Sequence, residues 1–485
     1  MNLKYIFLFF GLLFYCSSGF CRVRLPHVLC DGMVLQQNTE VRLWGWAKPN
    51  GIVKVTTSWD DNISSAKAGK DGKWLLKVKT PTASYKPLSV SFDDGDGKIT
   101  IDNILSGEVW VCAGQSNMQF PVRGFFNCPL DNYNETIVEA VKVHGIRYVK
   151  IPEKKRMTPQ DDANCHWVTV DSKTVNDCSA VGYFFAKMVN EMLDIPVGLV
   201  LANMGGTRVE GWLDKGNLKK YTDELIDTVE IVSKWTDITR RPMVWGNGTF
   251  SPILNYTVKG ILYYQGCSNV GDPGNQYSDR LKLLVEQWRR DFKLGEIPFY
   301  FVQLVPYADW NSKEGTQRAM MYEQQVRAKD IIPNSDIVCT NDLAYPYEYF
   351  QIHPCQKRPV GQRLAYLALK HDYGMDGIIA ESPRYKSMDI EGDKCYMTFD
   401  NMDGGYSRMN DIEGFEVAGA DKVFHKAKAK IFWTPTENPH NNSIVVSSEK
   451  VKVPVAVRYC FRNFQLGNLK NGGGIPLLPF RTDKW

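Results

Sequence analysis

Serine and histidine side chains set in glycine-rich turns are the working parts of an acyl-transfer site. Four short segments of this 485-residue chain supply them. The first, Gly114-Gln115-Ser116-Asn117-Met118, directly follows the apolar run 109–113. A serine in a strand-to-helix turn can be held exposed at a sheet edge, as an attacking hydroxyl requires. The turn is not the GxSxG of α/β-hydrolases, because Met118 stands at the second glycine, and a serine capping a helix would read the same way. The second segment is Asn203-Met204-Gly205-Gly206-Thr207. Its paired glycines can turn a backbone N–H into a pocket or form a plain turn. In the third, Tyr264-Gln265-Gly266-Cys267-Ser268-Asn269, the Asn269 amide can be aimed at the same point. The fourth, Gln351-Ile352-His353-Pro354, holds one of only seven histidines. Together they predict that Ser116 attacks a carbonyl carbon and His353 takes its proton. Gly205 or Gly206, Asn269 and the backbone around Ser116 are the expected donors to the oxyanion. Gln115 and Gln265, in the same turns, join the expected oxyanion and substrate-binding set.

The elements around these turns explain why they should meet. Apolar strand patterns at 109–113, 197–202, 260–264, 299–304 and 337–340 alternate with helical spacing at 180–193, 277–292, 316–328 and 358–369. That alternation predicts an α/β fold with a parallel sheet covered by helices on both faces. Sites in such sheets lie at the carboxyl ends of the strands, where all four segments fall. Residues 22–103 read as an N-terminal β domain, with short alternating runs between Pro, Gly, Asn and Asp turns. Residues 104–373 form the α/β domain, and 374–485 return to β spacing as a C-terminal β domain. Both flanking regions read as β-sandwich-like, and the second is expected to pack on the first, since domain termini often lie close together.

Composition narrows the class. Hydrophobic residues make 44% and charged residues 23%, which excludes a disordered chain or a fibre. Lys plus Arg number 58 against 54 Asp plus Glu, so no nucleic-acid partner is expected. Lys4, the apolar run 5–15 and the small Ser17, Ser18 and Gly19 give residues 1–21 the order of a secretory signal peptide. The run is short for a span of ~20 residues, so no stable membrane insertion is expected. The predicted product is secreted or periplasmic; a retained anchor, or a lipid on Cys16, is the alternative. Twelve cysteines, two of them in that leader, suit an oxidising compartment. No CxxC pair, HExxH, Walker loop or Rossmann fingerprint occurs, so no metal and no cofactor is expected. Cys112 and Cys339 read as buried strand thiols, and one or two bridges elsewhere are open.

The ordered motifs GQSNM, GGT with Glu210 and Trp212, YQG-x-x-N and IHP resemble the SGNH hydrolase superfamily. Within it the chain is similar to the sialate O-acetylesterase family, which includes carbohydrate acetylesterases acting on xylan. Leu25-Pro26-His27-Val28 and Asp31-Gly32-Met33-Val34-Leu35-Gln36 resemble that family's N-terminal segment, and Pro479-Phe480-Arg481-Thr482-Asp483 its C-terminal end. The resemblance implies an SGNH-type sheet, Ser116 as nucleophile, His353 as base, and Gly206, with Gly205 close behind, and Asn269 as oxyanion donors. It also implies O-acetylated sialic acid or another acetylated glycan as substrate. Two departures stand out. Many relatives carry an acid two or three positions before the histidine, where this chain has Gln351 and Phe350. Asp342 is the expected orienting acid, with Glu348 or a neutral acceptor as alternatives. Cys267 stands where many relatives have Glu. Arg318, Arg208 and Arg123 lie near the motifs and are candidates to meet a sialate carboxylate. The competing readings are an acetyl esterase on plant polysaccharide such as xylan, and a non-catalytic carbohydrate-binding protein. The sequence assigns no oligomeric state.

Overall fold

The computed structural model describes residues 22–221, 224–271, 276–309 and 313–485. The expected leader, residues 1–21, lies outside the described residues. Six strands open the chain: β1 (Val34–Gln36), β2 (Glu40–Trp46), β3 (Ile52–Thr57), β4 (Asp60–Lys67), β5 (Lys73–Lys79) and β6 (Ser84–Asp93). Strict alternation of buried and exposed positions in β3 and β5 leaves one face of each strand in the core. β2 pairs with β5, and β3 pairs with β4 and β6.

The long β7 (Lys98–Gly114) then crosses from this β region into the α/β region without a break. Its first half pairs antiparallel with β6, and its second half lies at the centre of the parallel sheet. Strands β8 (Ile146–Lys150), β9 (Trp167–Thr169), β10 (Val197–Asn203), β11 (Gly260–Tyr264), β12 (Phe299–Val302) and β13 (Ser335–Val338) complete it in the order β13-β12-β11-β7-β10-β8-β9. All pairs are parallel except the edge pair β8–β9. Every residue of β10 and β11 is buried, as a sheet covered on both faces demands.

The helices are α1 (Ser116–Gln119), α2 (Tyr133–Ala140), α3 (Ala180–Leu193), α4 (Lys215–Leu218), α5 (Thr228–Lys234), α6 (Tyr277–Phe292), α7 (Gln317–Ile331) and α8 (Arg358–His371). α3 packs with α8, and α6 with α7. The predicted α/β alternation is thus present, with β8 and β9 added. β8 escapes a hydropathy reading because Arg147 sits in it. That side chain is buried, its guanidinium bonding to Gly32 O at 2.9 Å and Asn103 Oδ1 at 2.9 Å.

Eight further strands follow: β14 (Arg384–Glu391), β15 (Lys394–Asp400), β16 (Phe415–Ala418), β17 (Phe424–Lys426), β18 (Lys428–Phe432), β19 (Ser443–Ser447), β20 (Ala456–Tyr459) and β21 (Phe480–Arg481). They form two four-stranded sheets around a separate apolar core. Their ties run to the β13 edge and α7. Asn341 Nδ2 donates to Leu477 O at 2.8 Å, and Arg481 grips Glu323 at 2.9 and 3.0 Å. The expected packing on the N-terminal strands is not what these ties show: they hold the second β region to the parallel sheet's edge and its helix.

Candidate active site

Register brings three of the four turns together. Gly114 at the end of β7 is the register partner of Asn203 on β10 and of Tyr264 on β11. The three chains therefore leave the sheet side by side. Gly114 has φ +131°, and a Cβ there would lie 2.3 Å from Tyr264 O. Only glycine fits that sharp exit. Gln115 N–H donates to Tyr264 O at 2.9 Å, while its side-chain oxygen accepts from Gly266 N at 2.8 Å and Cys267 N at 2.9 Å. Gln115 thus laces the first turn to the third.

Ser116 opens α1, with Gln115 at the N-cap position. The serine is not spent as a cap. His353 Nε2 lies 2.7 Å from Ser116 Oγ, across 237 residues of sequence. The imidazole is half-buried, with its ring edge to face on Phe125 at a centroid distance of 5.2 Å. Burial, helped by the nearby Lys357 charge, pulls its pKa down to about 4. The ring is neutral at pH 7, as a base must be.

Glu348 holds the loop that delivers His353. Its two oxygens accept Tyr345 N at 2.8 Å and Cys355 N at 2.9 Å. Asn117 ties the loop to α1, its Nδ2 donating to Ile352 O at 3.0 Å and its Oδ1 accepting from Lys357 Nζ at 2.7 Å. Neither Asn117 nor Lys357 was marked by the sequence reading. They bond across 240 residues, and no spacing rule spans that distance.

Asp342 is not brought to His353. Both its oxygens bind Arg363, at 2.8 and 2.7 Å, and Lys470 Nζ lies at 2.7 Å. Burial pushes this carboxyl up, but Arg363 and Lys470 outweigh it and hold it below the usual range. Among the described residues no carboxylate is hydrogen-bonded or ion-paired to His353.

Gly205 lies against the serine: a Cβ built on it would sit 3.4 Å from Ser116 Cβ. Its N–H is already taken, donating to Gln119 Oε1 at 2.9 Å. Among the described residues the N–H groups of Ser116 and Gly206 have no acceptor. Asn269 is fully buried and braced: Oδ1 accepts Val209 N and Gln265 Nε2 at 2.9 Å each, and Nδ2 donates to Glu210 at 3.0 Å. Gln265 also donates to Thr207 O at 2.9 Å, joining the second and third turns.

Of the three arginines, Arg123 is exposed and pairs with Asp177. Arg208 is buried in an ion-pair cluster with Glu210, Glu224 and Arg280. Arg318 is buried beside the third turn, with Nε on Val305 O at 2.7 Å and Nη2 3.2 Å from Cys267 Sγ. Among the described residues no carboxylate pairs with it. The ten cysteines from Cys30 to Cys460 stand as free thiols, with Cys112 and Cys339 buried as their strands predict.

A strand-end serine within hydrogen-bond reach of a neutral imidazole has the geometry that acyl transfer requires. The family profile described as carbohydrate esterase, sialic acid-specific acetylesterase, matches residues 106–370, more than half of the chain. The chain belongs to this family. It is a carboxylic ester hydrolase, and the resemblance drawn from the motifs holds. Human sialate O-acetylesterase is 25% identical over 469 residues, covering 90% of this chain and 87% of the human protein. The mouse sialate O-acetylesterase is 25% identical over 445 residues, covering 81% and 82%. A crystal structure of a carbohydrate acetylesterase from Xanthomonas citri superposes with a TM-score of 0.83 at 28% identity, over 96% of this chain and 100% of the other. The esterase therefore shares that neighbour's fold along almost its whole length. Among the described residues no helix is long and apolar enough to cross a membrane.

Proposed function

We propose that this esterase is exported and removes O-acetyl groups from sialic acids through an acetyl-serine intermediate. The observation that carries the mechanism is the 2.7 Å contact between His353 Nε2 and Ser116 Oγ. Ser116 Oγ attacks the acetyl carbonyl carbon as its proton passes to Nε2. The tetrahedral oxyanion is met by the N–H groups of Ser116 and Gly206, neither of which has an internal acceptor among the described residues. One such donor is worth roughly 10²–10³ in kcat. Collapse breaks the bond to the sugar oxygen, which takes the proton from His353 and leaves as the alcohol. Water then attacks the acetyl-serine, gives its proton to His353, and acetate departs as Ser116 recovers the proton.

The pair works as a dyad. Phe125 and the Glu348-braced loop orient the imidazole in place of a carboxylate. Gly205 and Asn269 act by bracing: one packs on Ser116, and the other holds the second and third turns together.

The sialic acid specificity in the family's description and the names of its relatives support a sialate substrate. Arg318 supports it too, as a buried cation beside Cys267 without a carboxylate of its own. The carbohydrate acetylesterase neighbour favours a second reading, a neutral acetylated polysaccharide such as xylan. Export rests on the leader pattern of residues 1–21. The three-part division at 103/104 and 373/374 is likewise our reading, with β7 as a continuous strand through the first boundary. Ser116→Ala tests the mechanism: it should abolish ester cleavage while thermal unfolding stays within a degree or two of the parent. Retained turnover would refute the assignment.

A further inference from the structure

Lys357 is a buried cation that the proposed chemistry does not use. It stands at the N-cap of α8, four residues after His353, and is 1% exposed. Its Nζ donates to Asn117 Oδ1 at 2.7 Å and lies 4.8 Å from the centroid of the Phe120 ring. Among the described residues no carboxylate forms an ion pair with it. The titratable groups that face it are Glu348, Cys355, Cys267 and Cys128, and His353 in turn feels its charge. Glu348 is committed to two backbone N–H groups. A solvated surface lysine would make none of these arrangements necessary, since burying an unpaired ammonium is costly.

The contacts of Lys357 reach both halves of the catalytic pair. Asn117 follows the nucleophile, and Ile352 precedes the base. An ammonium can only donate, so it dictates that Asn117 presents oxygen to Nζ and its NH₂ to Ile352 O. A flipped amide would set donor against donor. A second path runs from Phe120 to Phe125 at 5.2 Å, and from Phe125 to the His353 ring at 5.2 Å.

We propose that Lys357 is a positioning residue of the esterase: it fixes the Asn117 amide that ties the histidine loop to the nucleophile turn, and its charge opposes the imidazolium formed when His353 takes the serine proton. The inference rests on the Ser116–His353 reading. Burial above all brings the Lys357 amine down to about 7, and its charge adds to the burial that holds His353 down at about 4. Below neutral pH the ammonium adds to the burial that keeps the imidazole free of a proton. As pH rises past 7 its discharge makes His353 a stronger base.

Two substitutions separate tie from charge. Lys357→Gln keeps an N–H donor for Asn117 and removes the charge; Asn117→Ala cuts the tie and leaves the charge. The readouts are the pH profile of kcat/KM on 4-nitrophenyl acetate and, in a Ser116→Ala background, the His353 ring titration by NMR. Lys357→Gln should raise the His353 titration and the acid limb together by roughly one unit. Asn117→Ala should leave the limb in place and lower the plateau about tenfold or more. An unmoved His353 titration in Lys357→Gln would overturn the electrostatic half, and an unchanged plateau in Asn117→Ala the positioning half. The NMR titration requires only a folded protein, so a variant too weak to assay still decides the first point. Turnover surviving in Ser116→Ala would instead overturn the serine–histidine reading itself.

Discussion

Asp342→Asn separates the geometry found here from the triad that the sequence leads one to expect. The side chain is 8% exposed, and its two oxygens meet Arg363 twice and Lys470 once, all within 2.8 Å. An amide would keep the shape but lose the charge, leaving two cations facing a neutral group. Breaking a buried ion pair in this way costs about 3–5 kcal/mol. The melting temperature should fall by roughly ten degrees, at ~2–4 °C per kcal/mol for a domain of this size. The loss should shrink in acid. A carboxyl held below its ordinary value contributes stability that is present above the unfolded pKa and disappears as pH falls through the folded one. Catalysis should behave differently. Removing the acid of a true triad lowers kcat by ~10⁴, whereas Asp342→Asn, assayed on 4-nitrophenyl acetate well below its melting point, should keep kcat within a few-fold. A soluble, folded Asp342→Asn protein with kcat down by orders of magnitude would refute the placement of this residue outside the catalytic pair.

Other predictions follow from the same geometry. The acid limb of kcat/KM should fall near pH 4, not at the ordinary imidazole value, because His353 is held neutral mainly by burial; a limb near 6.5 would contradict it. Gly114→Ala must fit a Cβ 2.3 Å from Tyr264 O at a φ reserved for glycine, so it should yield little soluble protein and no turnover, read by expression and circular dichroism. Cys267→Glu sets a carboxylate against Arg318. KM for O-acetylated sialic acid should rise about tenfold, the worth of one charge-assisted hydrogen bond, with 4-nitrophenyl acetate turnover kept. An equal effect on both substrates would remove Arg318 from sialate recognition.

The fold was legible where the physics is local. Helices 180–193 and 277–292 and the strand 260–264 match the structure residue for residue, because apolar periodicity and burial coincide there. β8 was hidden because a buried arginine imitates a surface one until its acceptors, Gly32 O and Asn103, are known. The same limit applies at the site. Ser116, Gly205 and Asn269 announced themselves through turn chemistry after strands. The partners of Asp342 did not: Arg363 comes from α8, 21 residues on, and Lys470 from the far C-terminal region. A carboxylate near a histidine in sequence says nothing of which cation claims it in space. Asn117 and Lys357 were silent for that reason too, since each draws its meaning from a contact 240 residues away.

Acetate release from O-acetylated sialic acid and from acetylated xylan, measured side by side for the parent and Ser116→Ala with EDTA present, tests the central claim most directly. Release is expected from the sialate, little from xylan, and none from either with the variant. Release from xylan alone would keep the Ser116–His353 chemistry and overturn the substrate, and undiminished release by Ser116→Ala would contradict the mechanism.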